Sequence, residues 1–130
     1  MALIENPFVF TIEGNPIPKP RMVSTSKFWS KPYKRYWDYV NSAAEIISYR
    51  AFSLGVPQPV KDDIRCNMVF YRKGEKRADA DNCQKTVFEI LQKAKIIEND
   101  NQITEGEFRM RYNSETPQTT ILIKELYNGL

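Results

Sequence analysis

The stretch IRCNMVFYRKGEKRADADNCQKTVFEILQKA, residues 64–94, changes its hydrophobic period partway along. At its start, Ile64, Cys66, Met68 and Phe70 alternate with Arg65, Asn67, Val69 and Tyr71, the period-two signature of a strand with one face buried. At its end, Cys83, Val87, Ile90, Leu91 and Ala94 stand at offsets 0, 4, 7, 8 and 11, the stripe of an amphipathic helix. Arg72 to Ala78, between them, is polar and reads as a loop. A strand, a basic loop and a helix therefore follow one another here, and the rest of the chain is read around them.

Upstream, Phe8, Phe10 and Ile12 alternate with Val9, Thr11 and Glu13, which predicts a first strand ended by Gly14 and Asn15. Pro16, Pro18 and Pro20 forbid a helix and disfavour a central strand, so residues 14–30 read as a long basic loop. Ser30 and Pro32 supply a helix start. Tyr36, Tyr39, Val40, Ala43, Ile46, Ile47 and Arg50 then define a face of a helix running to about Leu54, before Gly55 and Pro57. Downstream, Ile96 to Asn101 reads as a turn. Phe108, Met110 and Tyr112 mark a third strand and Thr119, Ile121 and Ile123 a fourth, with Asn113 to Pro117 as a hairpin loop between them. The expected order is β-α-β-α-β-β: a single α+β domain over residues 1–130, with one mixed sheet and both helices on one face. The other face then needs a polar surface or a partner subunit.

The composition removes several chemistries. The chain has 130 residues and no histidine, which excludes Ser-His-Asp and Cys-His nucleophiles and histidine-based zinc sites. Cys66 and Cys83 lie in apolar periodic stretches and read as buried free thiols. With 42% hydrophobic residues the chain can bury a core, while a mean hydropathy of -0.53 and the lack of a long apolar run argue against a membrane span. Met1 to Asn6 lacks the features of a signal peptide, so the cytoplasm is the expected compartment. The net charge of +3 is unevenly spread. Lys19, Arg21, Lys27, Lys31, Lys34 and Arg35 fall in a segment without acids, and Arg72, Lys73, Lys76 and Arg77 form a second basic knot. Such local fields favour phosphate partners.

Asp79-Ala80-Asp81-Asn82 lies where the second knot meets the second helix. Two residues apart in an extended segment, Asp79 and Asp81 can converge, and Lys85 returns over Asp81 one helical turn later. Two carboxylates about 4 Å apart repel by about 4 kcal/mol at an effective dielectric near 20. A divalent cation with hard oxygen ligands relieves that repulsion, and Mg²⁺ takes a few carboxylates together with water and substrate phosphate. Asp100 lies beyond the helix, about 20 Å away along it, and joins the pair only if the turn folds back. A purely structural account is open at this point: Asp81 as a helix cap and Asp100 in an ordinary turn.

The run Arg77-Ala78-Asp79-Ala80-Asp81-Asn82-Cys83-Gln84-Lys85, followed after a helix by Ile96-Ile97-Glu98-Asn99-Asp100-Asn101-Gln102-Ile103, resembles the RusA family of Holliday junction resolvases. The segments from Gly14 to Arg21 and from Gly55 to Lys61, with the strand that follows, are similar to the family more loosely, so most of the chain is covered. The resemblance implies metal-binding roles for Asp79, Asp81 and Asp100 and a catalytic role for Lys85. It implies Mg²⁺, with Mn²⁺ as a substitute, and a homodimer that nicks two opposed strands of a four-way DNA junction. It also implies a phage or prophage gene in a bacterial host. Two positions depart from the family pattern: Asn99 stands where some relatives carry a first acid, and Ala78 where some carry arginine. Arg77 then becomes the expected phosphate contact, together with Lys19, Arg21, Lys27, Lys31 and Lys34. Two other functions fit the residues: a non-catalytic binder of branched or single-stranded DNA, and a structural protein that merely dimerises.

Overall fold

In a computed structural model, residues 7–20 and 31–126 are described. The elements are β1 (Phe8–Glu13), α1 (Lys31–Leu54), β2 (Ile64–Tyr71), α2 (Ala80–Lys93), a 3-10 turn (Asp100–Gln102), β3 (Ile103–Glu105), β4 (Phe108–Arg111) and β5 (Gln118–Glu125). They form one mixed sheet in the order β1-β5-β2-β3, with β4 continuing beside β2 past β3. β1 and β5 are antiparallel, β5 and β2 are antiparallel, and β3 and β4 run parallel to β2.

Register explains the single core. Phe10 pairs with Ile121, which pairs with Met68, and Ile123 stands between Phe8 and Cys66. These residues share one face, and both helices cover it through Tyr36, Val40, Ala43 and Ile47 of α1 and Cys83, Val87, Ile90 and Leu91 of α2, all buried. The fold is thus the α+β arrangement expected, with both helices on one side. The buried face of α1 is rotated from the sequence reading. Ala44 and Ala51 are buried, whereas Ile46 and Arg50 are exposed and Tyr39 is half-buried. Both cysteines are buried free thiols, and burial pushes the Cys66 thiol up to about 12. The helix start at Ser30 lies outside the described residues, which begin again at Lys31.

The expected hairpin between the last two strands is not formed. β4 and β5 lie on opposite edges of β2, and the connection between them passes the end of that strand. Ser114 N donates to Arg72 O at 2.9 Å and Arg72 N to Arg111 O at 2.8 Å. Ile64, Cys66, Met68 and Phe70 are almost fully buried, so β2 takes the centre with a strand on each edge. Stepping across it covers about 10 Å, two strand spacings, and five residues reach about 17 Å. The strand along the other edge of β2 is also longer than expected, and it is broken at Gly106. A Cβ there would overlap the Cys66 carbonyl, so only glycine lets the chain pass this close. No described helix is long and apolar enough to cross a membrane.

Candidate active site

Asp79 is the N-cap of α2, with extended backbone (φ -71, ψ 112) and Oδ1 accepting from Asn82 N at 3.2 Å. An aspartate in that position satisfies one of the open N–H groups of the first turn and lies at the positive end of the helix dipole. Asp81 is therefore not the cap but a first-turn residue, one step inside the helix. Lys85 follows one turn on, its Nζ 3.2 Å from Asp81 Oδ2. Both side chains are more than half exposed, so this ion pair adds little to stability. Its value is positional: a carboxylate and an ammonium stand together where solvent and a large ligand can reach them.

The basic loop is fastened to this helix. Thr86 Oγ1 donates to Ile17 O at 2.7 Å, and Lys19 N donates to Asn82 O at 3.0 Å. Lys19 Nζ pairs with Glu89 at 3.3 Å. Arg72 Nη1 reaches Pro16 O at 2.7 Å, and Asn15 Oδ1 accepts from Lys73 N at 2.9 Å. The proline-rich segment 14–20 thus runs alongside the start of α2, so Lys19 serves an internal ion pair as well as the local field. Arg21 and Lys27 lie outside the described residues, while Lys31, Lys34 and Arg77 are exposed. Tyr36 is buried beneath this region, and burial, then the Glu89 charge, pushes its phenol up to about 12. It stays neutral at physiological pH and is unsuited to act as a base.

Asp100 is exposed in the 3-10 turn at the other end of α2. Its N–H donates to Gln92 Oε1 at 3.2 Å. Asn99 caps the turn by accepting from Asn101 N at 2.9 Å. Gln102 completes the capping box: Oε1 accepts from Glu98 N at 2.7 Å and Asn99 N at 3.0 Å, while Nε2 donates to Val60 O at 2.8 Å and Asp62 O at 3.0 Å. The turn is held rigidly against the approach to β2 and does not fold back. Among the described residues, no three acidic or cysteine side chains of one chain gather closely enough to hold a metal ion. The structure thus keeps Asp79, Asp81 and Lys85 at one end of α2 and leaves Asp100 at the other. Sequence reading missed the fastening roles of Thr86 and Glu89, which have no local signal. It also missed the contact of Arg77 with Tyr112, whose ring lies 4.5 Å from the guanidinium.

Fold and site together define a small α+β domain in which an acid-and-lysine helix start meets a basic, proline-rich loop. The family model Endodeoxyribonuclease RusA matches residues 13–124, and the chain belongs to that family. The match takes in both helices and β2, β3 and β4 whole, running from the last residue of β1 to one residue short of the end of β5. Membership makes it an endodeoxyribonuclease of a family that acts on branched DNA and resolves Holliday junctions. No curated protein matches the chain.

Proposed function

We propose that this endonuclease resolves four-way DNA junctions as a homodimer, by Mg²⁺-dependent phosphodiester hydrolysis that nicks two opposed strands. The observation that carries the reading is the division of its acids between the two ends of α2. Mg²⁺ is content with one or two carboxylates plus water and substrate phosphate. Asp79 and Asp81 offer such oxygens at one accessible helix start, so the donor set fits a hard divalent ion, with Mn²⁺ as a substitute. A third ligand, Asp100, cannot come from the same chain. A two-fold dimer with its α2 helices antiparallel brings one protomer's Asp100 to the other's Asp79 and Asp81. The partly exposed Phe108 of β4, on the helix-covered side of the sheet, gives that face an apolar anchor.

When bound, the ion supplies water activation and stabilises the charge developing on the phosphodiester. The chain supplies the positioning. The capping bond fixes the Asp79 carboxylate, and Lys85 offsets phosphate charge beside Asp81. Lys31, Lys34, Arg77 and the segment containing Arg21 and Lys27 hold backbone phosphates, a contact that is largely independent of sequence. Two symmetric sites in one dimer account for paired nicks. The enzyme would work in the cytoplasm of a bacterial cell, from a phage or prophage gene.

The test is cleavage of a synthetic four-way junction with and without Mg²⁺. Symmetric paired cuts are expected with the ion and none in chelator, and Asp81→Asn should cut nothing. Unpaired cuts, or cutting in chelator, would refute the mechanism. One observation favours a second reading, a non-catalytic binder of branched or single-stranded DNA: Asp79 already has a structural task as a cap. That reading predicts a stable shifted complex in Mg²⁺ with no nicked product.

A further inference from the structure

The loop that delivers Asp79 is not a loose connection. Residues 72–77 run beside 111–114 as an irregular extension of the β2–β4 pair. Arg72 N donates to Arg111 O at 2.8 Å, Ser114 N to Arg72 O at 2.9 Å, and Asn113 N to Gly74 O at 2.8 Å. Asn113 takes a left-handed backbone (φ 57), which asparagine tolerates better than most residues, and the chain turns there. This pairing brings Tyr112 under Arg77, whose guanidinium carbon is 4.5 Å from the ring centroid. Arg111, one residue back, pairs with Tyr71 and is turned to the sheet face that no helix covers, away from the start of α2.

Several cations near the sheet are already paired: Lys19 with Glu89, Arg65 with Glu105, Arg109 with Glu107. Within the loop, Lys73, Lys76 and Arg77 are in no ion pair, and all three are exposed. Glu75 is the one acid within the loop. The result is a positive corner of fixed backbone, two residues upstream of Asp79. A guanidinium laid on a ring keeps its N–H edges turned outward and loses less freedom on meeting an anion.

We propose that Arg77, held against the Tyr112 ring, clamps a backbone phosphate of a duplex arm of branched DNA beside Asp79 and Asp81. The clamp rests on the junction-nuclease reading above. In this scheme Arg77 touches phosphate, and Tyr112 is a positioning residue that touches only Arg77. Lys73 and Lys76 add to the local field.

The experiment is binding of the full chain to a fluorescent four-way junction in chelator, over a series of salt concentrations. Each phosphate contact removed lowers the slope of log K against log salt by about 0.9. Arg77→Gln should lower it by that amount. Tyr112→Leu should weaken binding about two- to fivefold, the range of one exposed cation–π contact, whereas Tyr112→Phe, which keeps the ring, should bind as wild type does. Combining Arg77→Gln with Tyr112→Leu should add nothing to Arg77→Gln alone. Lys124→Gln on β5 removes the same charge elsewhere and should leave the slope unchanged. A wild-type slope in Arg77→Gln, wild-type binding in Tyr112→Leu, or an equal fall of slope in Lys124→Gln would overturn the clamp alone. A wild-type protein that binds no junction would overturn the junction reading and the clamp together.

Discussion

Two inactive variants are expected to restore each other when mixed, because the acids sit at opposite ends of one helix. Ala80–Lys93 has 14 residues, so at a 1.5 Å rise its ends lie about 20 Å apart. Ligand oxygens lie about 2.0–2.6 Å from a hard cation, so carboxylates sharing one ion are within about 5 Å of each other. The helix exceeds that fourfold. Asp81→Asn and Asp100→Asn homodimers should each lose cleavage. In a heterodimer of the two, one site combines both defects, while the other combines the intact Asp79 and Asp81 of one chain with the intact Asp100 of the other. Random reassortment of equal amounts makes half the dimers mixed, so about a quarter of wild-type sites return. Those dimers have one live site, so the product is a singly nicked junction rather than two resolved duplexes. Differently tagged chains, co-expressed and purified through both tags, allow the assay on denaturing and native gels. Asp79→Asn mixed with Asp81→Asn is the control, since both defects lie at the same end and neither site is whole. A purified Asp81→Asn/Asp100→Asn heterodimer with no nicking activity would refute the shared site.

Three further outcomes follow from the geometry. Asp79→Asn keeps a good cap and should preserve stability while losing cleavage, whereas Asp79→Ala should also lose about 1 kcal/mol of stability; equal stabilities in denaturant titration would deny the capping role. Gln102→Leu removes four hydrogen bonds, each with a net value of about 0.5–1.5 kcal/mol, and should destabilise the domain by about 3 kcal/mol. If its unfolding midpoint matches wild type, the turn around Asp100 is not held as described. For Glu125, burial first, and then the hydrogen bond and charge of Asp62, hold the carboxyl above its ordinary 4.5. The folded state then binds the proton more tightly than the unfolded state, so stability is lost as pH rises above that value. Glu125→Gln should match wild type in Tm at about pH 4 and exceed it at about pH 7; a difference independent of pH would mean that folded and unfolded states bind this proton equally, against the raised value.

What could be read from the sequence depended on whether the signal was local. β2 and α2 declare themselves because their periods, two and 3.6, are written in their own residues. β3 escaped because its three residues have the burial pattern intermediate, exposed, exposed, which leaves no alternation to detect. The hairpin expectation failed for a different reason. Five residues suit a tight connection between neighbours, and they equally suit a step across an intervening strand. Nothing within 108–123 records that Ile64 to Tyr71 comes between. Arg77 and Tyr112 are likewise joined only through the pairing of distant segments.

The candidate site divides along the same line. Asp79, Asp81 and Lys85 form a spacing pattern on one helix start, and the structure places them there. Asp100 falls on a turn whose geometry depends on Gln102 reaching Val60 and Asp62 across the chain. The bonds that support a purely structural account of these acids do not compete with a catalytic one. An exposed carboxylate that must meet a cation and a phosphate loses reach and precision if its backbone moves, so it gains from anchoring. Asp79 is anchored by its own capping bond, and Asp100 by Gln92 and the Asn99–Gln102 box. Both turns are stiff where an acid projects to solvent. In a dimer that shares its acids across two chains, that stiffness lets each protomer present a ligand to a site it does not itself complete.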